Sequence, residues 1–487
     1  MPIQLAAIDA IASWADLLDW AQANDCRDDA ETLQEKLTLD DARDLLRQLV
    51  RLDPPERVRE LSTYHRWQEE LGGGFHGMLP EQLVDAELTV PDHLPGALSA
   101  ASQLVEIRAA NEAALGEINP SYTLSFTGEA FPALDPAPHP DGWAMTFDLS
   151  GLRALLNFLQ RDNPTFARAR EIAAMEPFQE MMTHRRNLGY IPEPLVDTDG
   201  LAAFIQHAAS DDPLDRIWAW LSTQNFFDLA DLAQHRDDYE RLIDEIESHA
   251  STIEAHILGT IAPYASDSMR ASEFRDRISF TVGWGIAGWA TATSAGVNIE
   301  PFKDDYERLL TTLAHESVHR WQLWIGRPDG ARASSFEDLT EFPFADERDR
   351  SFYTILSYIM LEGTATHIAP SHAPEDRRAS IDRGTELLGE CHRAIYEAGD
   401  SDQADELANE GLRSNGPFYW LGEALTRAIV EADGPATIGE MLERGAPAFV
   451  RRALSWASDA GWRSSLIDVT VDRLRLLENE MERHDGA

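Results

Sequence analysis

His315, Glu316 and His319 stand in the order His-Glu-x-x-His, and Glu362 follows on a second apolar stretch. On a helix, residues four apart lie one turn apart on the same face. The two imidazoles can therefore converge on one ion at about 2.0–2.1 Å, the usual zinc–nitrogen distance. Glu316 is turned about 100° from His315, near such an ion but not bonded to it. A carboxylate there can take a proton from a metal-activated water, so the pattern predicts metal-assisted hydrolysis.

Glu362 lies within Ser351–Ala369, where helical spacing surrounds it with Tyr358, Ile359, Ala365 and Thr366. A carboxylate buried there without a partner is costly, so it either protonates or meets a cation. A metal ion is one such cation; Arg320 or Arg350 is the alternative. For the histidine pair, the alternative is the solvent face of an amphipathic helix.

Together, His315-Glu316-x-x-His319 and the later Glu362-Gly363-Thr364-Ala365 resemble the gluzincin metallopeptidases, and most nearly a poorly characterised group of zinc proteases with Glu-Gly-x-Ala after the histidine motif. The resemblance runs from about Trp143 to the last long helix and includes Gly416-Pro417-Phe418-Tyr419-Trp420-Leu421-Gly422. It implies a zincin-like domain and one Zn2+ ion held by His315, His319 and Glu362, with water as fourth ligand. It further implies Glu316 as general base and a peptide or protein as substrate. The related motif often carries an aspartate four residues after the third ligand, placed to hold a ligand histidine by its outer nitrogen. Thr366 stands there, so either another acid substitutes or the site is weaker. This departure supports a second reading, an inactive zinc-binding relative that recognises peptides or proteins. A third is a purely structural helical protein with an accidental motif. His367 points elsewhere on the helix and takes an ordinary polar role.

Gly416-Pro417 makes a turn before a helical stretch, Phe418–Ile429, which sets Tyr419 in the first turn. Its phenol is a candidate to steady the oxyanion of amide hydrolysis, with simple core packing as the equal alternative.

The elements that must position these groups are legible around them. The stretch Asp304–Gln322 reads as a helix with the apolar stripe Tyr306, Leu309, Leu310, Leu313, Val318 and Trp321. Before it, Arg277–Val282 reads as a strand and Trp289–Ile299 as more strand than helix. The intervening Gly283-Trp284-Gly285-Ile286-Ala287-Gly288 matches a dinucleotide fingerprint, but no helix opens from it, so a bent β-ribbon is expected and a nucleotide site is not. In similar peptidases such a strand borders the cleft and pairs with extended substrate; an ordinary hairpin is the other reading. Gly326–Arg348 reads as a long loop able to cover the cleft.

The fold class expected is mainly α (α+β), with residues 1–130 a helical N-terminal domain of unknown role, 131–142 a proline-rich linker, and 143–487 the zincin-like domain with a small β-ribbon or sheet. Expected helices include Ile8–Ala23, Asp29–Val50, Pro55–Leu71, Leu98–Ile118, Ile217–Leu221, Asp238–Ile253 and a final Pro447–Arg483. Ser121–Ser125 and Trp143–Asp148 read as short strands. Gly72-Gly73-Gly74 is a flexible break, since no Gly-Lys-Ser/Thr follows, and His65, His76 and His93 lack ligand spacing.

Composition narrows the setting. Lys and Arg number 41 against 85 Asp and Glu, a net charge of −44, and Lys36 and Lys303 are the two lysines. The acids are spread along the chain. This pattern suits a salt-rich cytoplasm, where a Debye length of about 3 Å at 1 M salt screens self-repulsion. It argues against nucleic-acid binding, which needs a positive surface. Cys26 and Cys391 make no disulfide framework. The first residues lack a basic, apolar leader, and no apolar run is long enough to cross a membrane, so a cytoplasmic protein is expected. The oligomeric state stays open. If the charge is adapted to salt, thermal melts should rise steadily from dilute buffer to molar KCl; a midpoint indifferent to salt would sink that reading.

Overall fold

The structure is a computed structural model that describes residues 2–51, 94–118, 125–160, 165–187, 198–209, 229–282, 287–326, 333, 335–370, 374, 376–413, 416–456 and 463–485. The expected helices Pro55–Leu71 and Ile217–Leu221, the Gly72–Gly74 break, nearly all of the Ser121–Ser125 strand, the three N-terminal histidines and residues 283–286 of the glycine motif lie outside them. The protein is mainly helical with one small mixed sheet of four strands. No described helix is long and apolar enough to cross a membrane.

The chain divides into two compact units. One comprises Met1–Leu124, Ser150–Arg241 and Thr281–Ile286; the other comprises Ser125–Leu149, Leu242–Phe280 and Ala287–Ala487. The proline-rich 131–142 stretch thus belongs to the second unit. In the first, helices Pro2–Asp9, Trp14–Ala23, Arg27–Lys36, Leu39–Arg51 and Leu94–Ile118 share a core that includes Leu17, Leu33, Leu46 and Leu98. Two helices expected as continuous are broken. Ser13 caps Trp14–Ala23 by accepting from the Asp16 amide, and Thr38 accepts from the Asp41 amide at the start of the next helix. Side chains that satisfy first-turn amides start a new helix rather than extend the old one.

The second unit holds the sheet, in the order β1-β2-β4-β3. Strand β1 (Trp143–Asp148) runs parallel to β2 (Phe274–Thr281), with Trp143 opposite Phe274; β3 (Gly288–Ala290) and β4 (Ala295–Asn298) form an antiparallel hairpin at the edge. The expected β-ribbon is therefore present. Trp289 stands opposite Gly296, and a Cβ at Gly296 would lie 2.0 Å from the indole, so only glycine leaves room for the buried ring. The helix Ala250–Ile261 packs on β1, and Glu254 accepts from the Met145 amide at 2.9 Å. The continuous helix expected over Asp238–Ile253 instead ends at Ser248 and restarts at Ala250.

Three long helices complete the framework. The motif helix, Tyr306–Ile325, is capped by Asp305 and ends at Gly326, whose φ of 87° suits glycine. Asp304, just before it, accepts from the amides of Thr127 and Glu129 at 2.6 and 3.1 Å and from Gly128. Burial opposes its ionisation, but those donors prevail and hold its carboxyl below the usual range. The motif helix packs on β3, on β4 and on the acid helix, Glu347–Ile368. The acid helix in turn packs tightly on a crossing helix, Pro417–Asp433.

The stretch Gly326–Arg348 is not one loop. It contains the short helix Phe336–Thr340, closed by a capping box between Ser335 and Asp338, and the acid helix already begins at Glu347. Of the expected final helix, Ala446–Trp456 and Arg463–Asp485 are helical, and residues 457–462 lie outside the described residues.

At the crossing of the last two long helices the backbones touch. A Cβ on Gly363 would lie 2.2 Å from the Gly422 backbone, and one on Gly422 would lie 2.0 Å from the Ile359 carbonyl. Gly422→Ala should therefore force these helices apart and cost roughly 1–3 kcal/mol or more, read as a lowered denaturation midpoint. An unchanged midpoint would show that the crossing tolerates a methyl group.

Candidate metal centre

The motif helix buries its apolar stripe and presents His315 and His319 from a neighbouring face, one turn apart. The acid helix brings Glu362 against them. His315 Nε2 and His319 Nε2 stand 3.1 Å apart, and Glu362 Oε2 lies 3.6 Å from the first and 3.3 Å from the second. Their side chains are 13%, 7% and 12% exposed. Three donor atoms bonded tetrahedrally to one zinc at about 2.0–2.1 Å would be about 3.3–3.4 Å apart. The observed separations bracket that value, so the donor set fits a single small divalent ion. His315, His319 and Glu362 form a group that could hold a metal ion.

The arginine alternatives for Glu362 fall away. Arg320 faces the buried Asp276 of β2 at 3.8 Å and lies over the Phe274 ring, and Arg350 donates to the Phe344 carbonyl at 2.6 Å. His367 does not join the metal group. It meets Glu423 of the crossing helix at 3.4 Å and stands edge-on to Tyr264, an ordinary polar role.

Glu316 lies beside the group and against the sheet edge. A Cβ on Gly288, the first residue of β3, would fall 2.7 Å from Glu316 Oε1 and 2.5 Å from its Cγ. The last glycine of the apparent dinucleotide fingerprint thus leaves space for a carboxylate, and a strand rather than a helix opens from it. Tyr419 is half-buried in the first turn of the crossing helix, its amide donating to the Gly416 carbonyl. It lies one turn before Gly422, on the helix face that touches the acid helix beside Glu362.

Three contacts at the site escaped the sequence reading. Gln322 Oε1 accepts from His319 Nδ1 at 2.8 Å, which no charged-residue pattern signals. Phe336 of the short connecting helix stands edge-on to the His319 ring, with centroids 4.8 Å apart. In the sequence Gly288 stands out only as the last glycine of the apparent dinucleotide fingerprint. Thr366, where the related motif has aspartate, is fully buried, and neither its hydroxyl nor His315 Nδ1 has a hydrogen-bond partner among the described residues.

Burial and mutual charge set the electrostatics. For Glu362, burial opposes ionisation, yet the His319 and His315 rings overcome it and hold the carboxyl down at about 2. For His319, burial disfavours the cation, but the Glu362 carboxylate outweighs it and lifts the ring to about 9. Burial raises Glu316, against the pull of the two imidazoles. A buried carboxyl with a raised pKa is a better proton acceptor than an exposed one.

Comparison with protein-family models, with curated proteins and with solved structures gives no match to this chain.

The paired shifts set a pH dependence. Without metal, the raised His319 pKa contributes stability that is complete below its ordinary 6.5 and is lost as pH climbs through about 9. The depressed Glu362 contributes stability present above its ordinary 4.5 and lost as pH falls toward 2. A metal ligand must be unprotonated, so zinc uptake near pH 7.5 should expel about one proton per ion, with affinity rising up to about pH 9. Calorimetric titration in two buffers of different ionisation enthalpy measures this. Identical heats in both would contradict a protonated His319.

Proposed function

We propose that this protein is a zinc-dependent peptidase with a zincin-like site of the gluzincin type. The observation that carries the reading is the convergence of two imidazole Nε2 atoms and one carboxylate oxygen at metal-ligand spacing, with a second carboxyl, that of Glu316, packed beside them at a strand edge.

His315, His319 and Glu362 would hold the ion. Zinc, when bound, supplies Lewis acidity that polarises a carbonyl and makes water a nucleophile near neutral pH. Glu316 takes the proton of the attacking water on its buried carboxylate and passes it to the departing amine. The favourable pull of two neighbouring imidazoles keeps that carboxylate available as a base, while burial keeps it a strong enough acceptor to matter. The Tyr419 phenol steadies the developing oxyanion. The edge strand β3, whose first residue touches Glu316, offers backbone groups to an extended peptide, which would lay the scissile bond beside the base. The acid-rich composition fits a protein working in a salt-rich cytoplasm.

A second reading, a zinc-binding but inactive relative that recognises peptides or proteins, is favoured by the unpartnered His315 Nδ1, since ligand histidines are normally held by their outer nitrogen. One substitution separates the two. Glu316→Gln should keep stoichiometric zinc and lower hydrolysis of casein or a peptide library by about 10²–10⁴-fold. Bound zinc with no turnover by the unmodified protein, together with tight binding of an extended peptide, would select the inactive relative. Hydrolysis unchanged by Glu316→Gln would remove Glu316 from the mechanism.

A further inference from the structure

The amide of Gln322 joins the two ligand-bearing helices at a point no motif marks. It is 2% exposed, three residues beyond His319 on the motif helix. Its Nε2 donates across to the acid helix, to the Leu361 carbonyl at 2.9 Å and to Thr364 Oγ1 at 2.6 Å. The Thr364 hydroxyl donates in turn to the Met360 carbonyl at 2.8 Å. Two acceptors on one side of the amide fix which end is nitrogen. The oxygen must then face His319 Nδ1, 2.8 Å away. An acceptor at that position requires a proton on Nδ1, which leaves the lone pair of the neutral ring on Nε2. Nε2 is the atom that faces His315 and Glu362.

We infer that Gln322 is a positioning residue that selects the ligand tautomer of His319 and ties its ring to the backbone turn carrying Glu362. The inference rests on the zinc reading above. The tie begins at Leu361, the residue before the third ligand, so one side chain sets both the orientation of one ligand and the register of another. A neutral amide suits this place where a carboxylate does not. Glutamate could accept from His319, but its second oxygen would face the Leu361 carbonyl with no proton between them. The usual acid support for a ligand imidazole is thus replaced by an amide from within the motif helix, with Thr364 as its anchor.

Gln322→Met keeps the volume and removes both the acceptor and the donor; Thr364→Val keeps the shape and removes only the anchor. Zinc affinity, read by competition with a chromophoric chelator, should fall about 10–100-fold in Gln322→Met and by less in Thr364→Val. In ¹⁵N-histidine-labelled protein loaded with zinc, the wild type should show a slowly exchanging His319 Nδ1–H resonance that Gln322→Met loses. A purely structural role would lower the melting temperature without moving that resonance. Wild-type zinc affinity and an intact Nδ1–H signal in folded Gln322→Met would overturn the assignment while leaving the zinc reading standing. Should Gln322→Met fail to fold, an undiminished affinity in Thr364→Val would overturn the tie. A wild type that takes up no zinc would overturn both readings together.

Discussion

A carboxylate set into an apolar helix face, with two imidazoles as its partners, is the constraint around which the second unit is arranged. Glu362 cannot hold a charge there unaided, because burial favours the neutral acid. Its partners His315 and His319 are both titratable and both able to bind a metal. Other buried carboxylates of this chain are treated differently. Asp276 faces Arg320, Asp349 meets Arg473 and the Tyr396 hydroxyl, Glu423 meets Arg377, Glu478 meets Arg444 and Arg451, and Asp304 rests on backbone amides. Permanent cations or fixed dipoles face those carboxylates, although burial still pushes Asp276 up to about 7. At Glu362 the partners among the described residues are two imidazoles, which carry a positive charge only when protonated.

Holding that arrangement requires close backbone approach on one side and a strand edge on the other. Gly363 and Gly422 let the acid and crossing helices touch, which brings the residue next to Glu362 against the helix that carries Tyr419. Gly288 lets β3 meet the Glu316 carboxyl, and Gly296 lets Trp289 fold over the hairpin. Each of these glycines is required by a contact, not by a turn. The cost of a side chain at such positions is steric and falls directly on the spacing of the ligands.

The electrostatic background of the chain gives the site a further property. With a net charge of −44, the protein as a whole favours cations over anions, more so in dilute buffer than in high salt. The site itself adds one formal negative charge from Glu362 and a second from Glu316 when ionised, so an ion of charge two is the natural counterpart.

Much of the placement of the candidate ligands was legible in the residues alone, because it depends on short-range periodicity. Four-residue spacing on a helix sets His315 beside His319 in any fold that keeps the helix, and the apolar run around Glu362 announces a carboxylate in need of a cation. The ribbon before the motif helix followed from β-branched residues and glycine where a nucleotide fold would need a helix. Helix ends were less legible: Ser13 and Thr38 interrupt apolar patterns that read as continuous, since local side-chain capping outweighs propensity over a few residues. What only the tertiary structure decided is which groups meet across elements. That Gln322 reaches Leu361 and Thr364 of the acid helix, that Phe336 closes on the His319 ring, and that Gly288 makes room for Glu316 are contacts between segments whose sequence separation carries no pattern. Periodicity records which face a residue occupies, and only packing determines what that face meets.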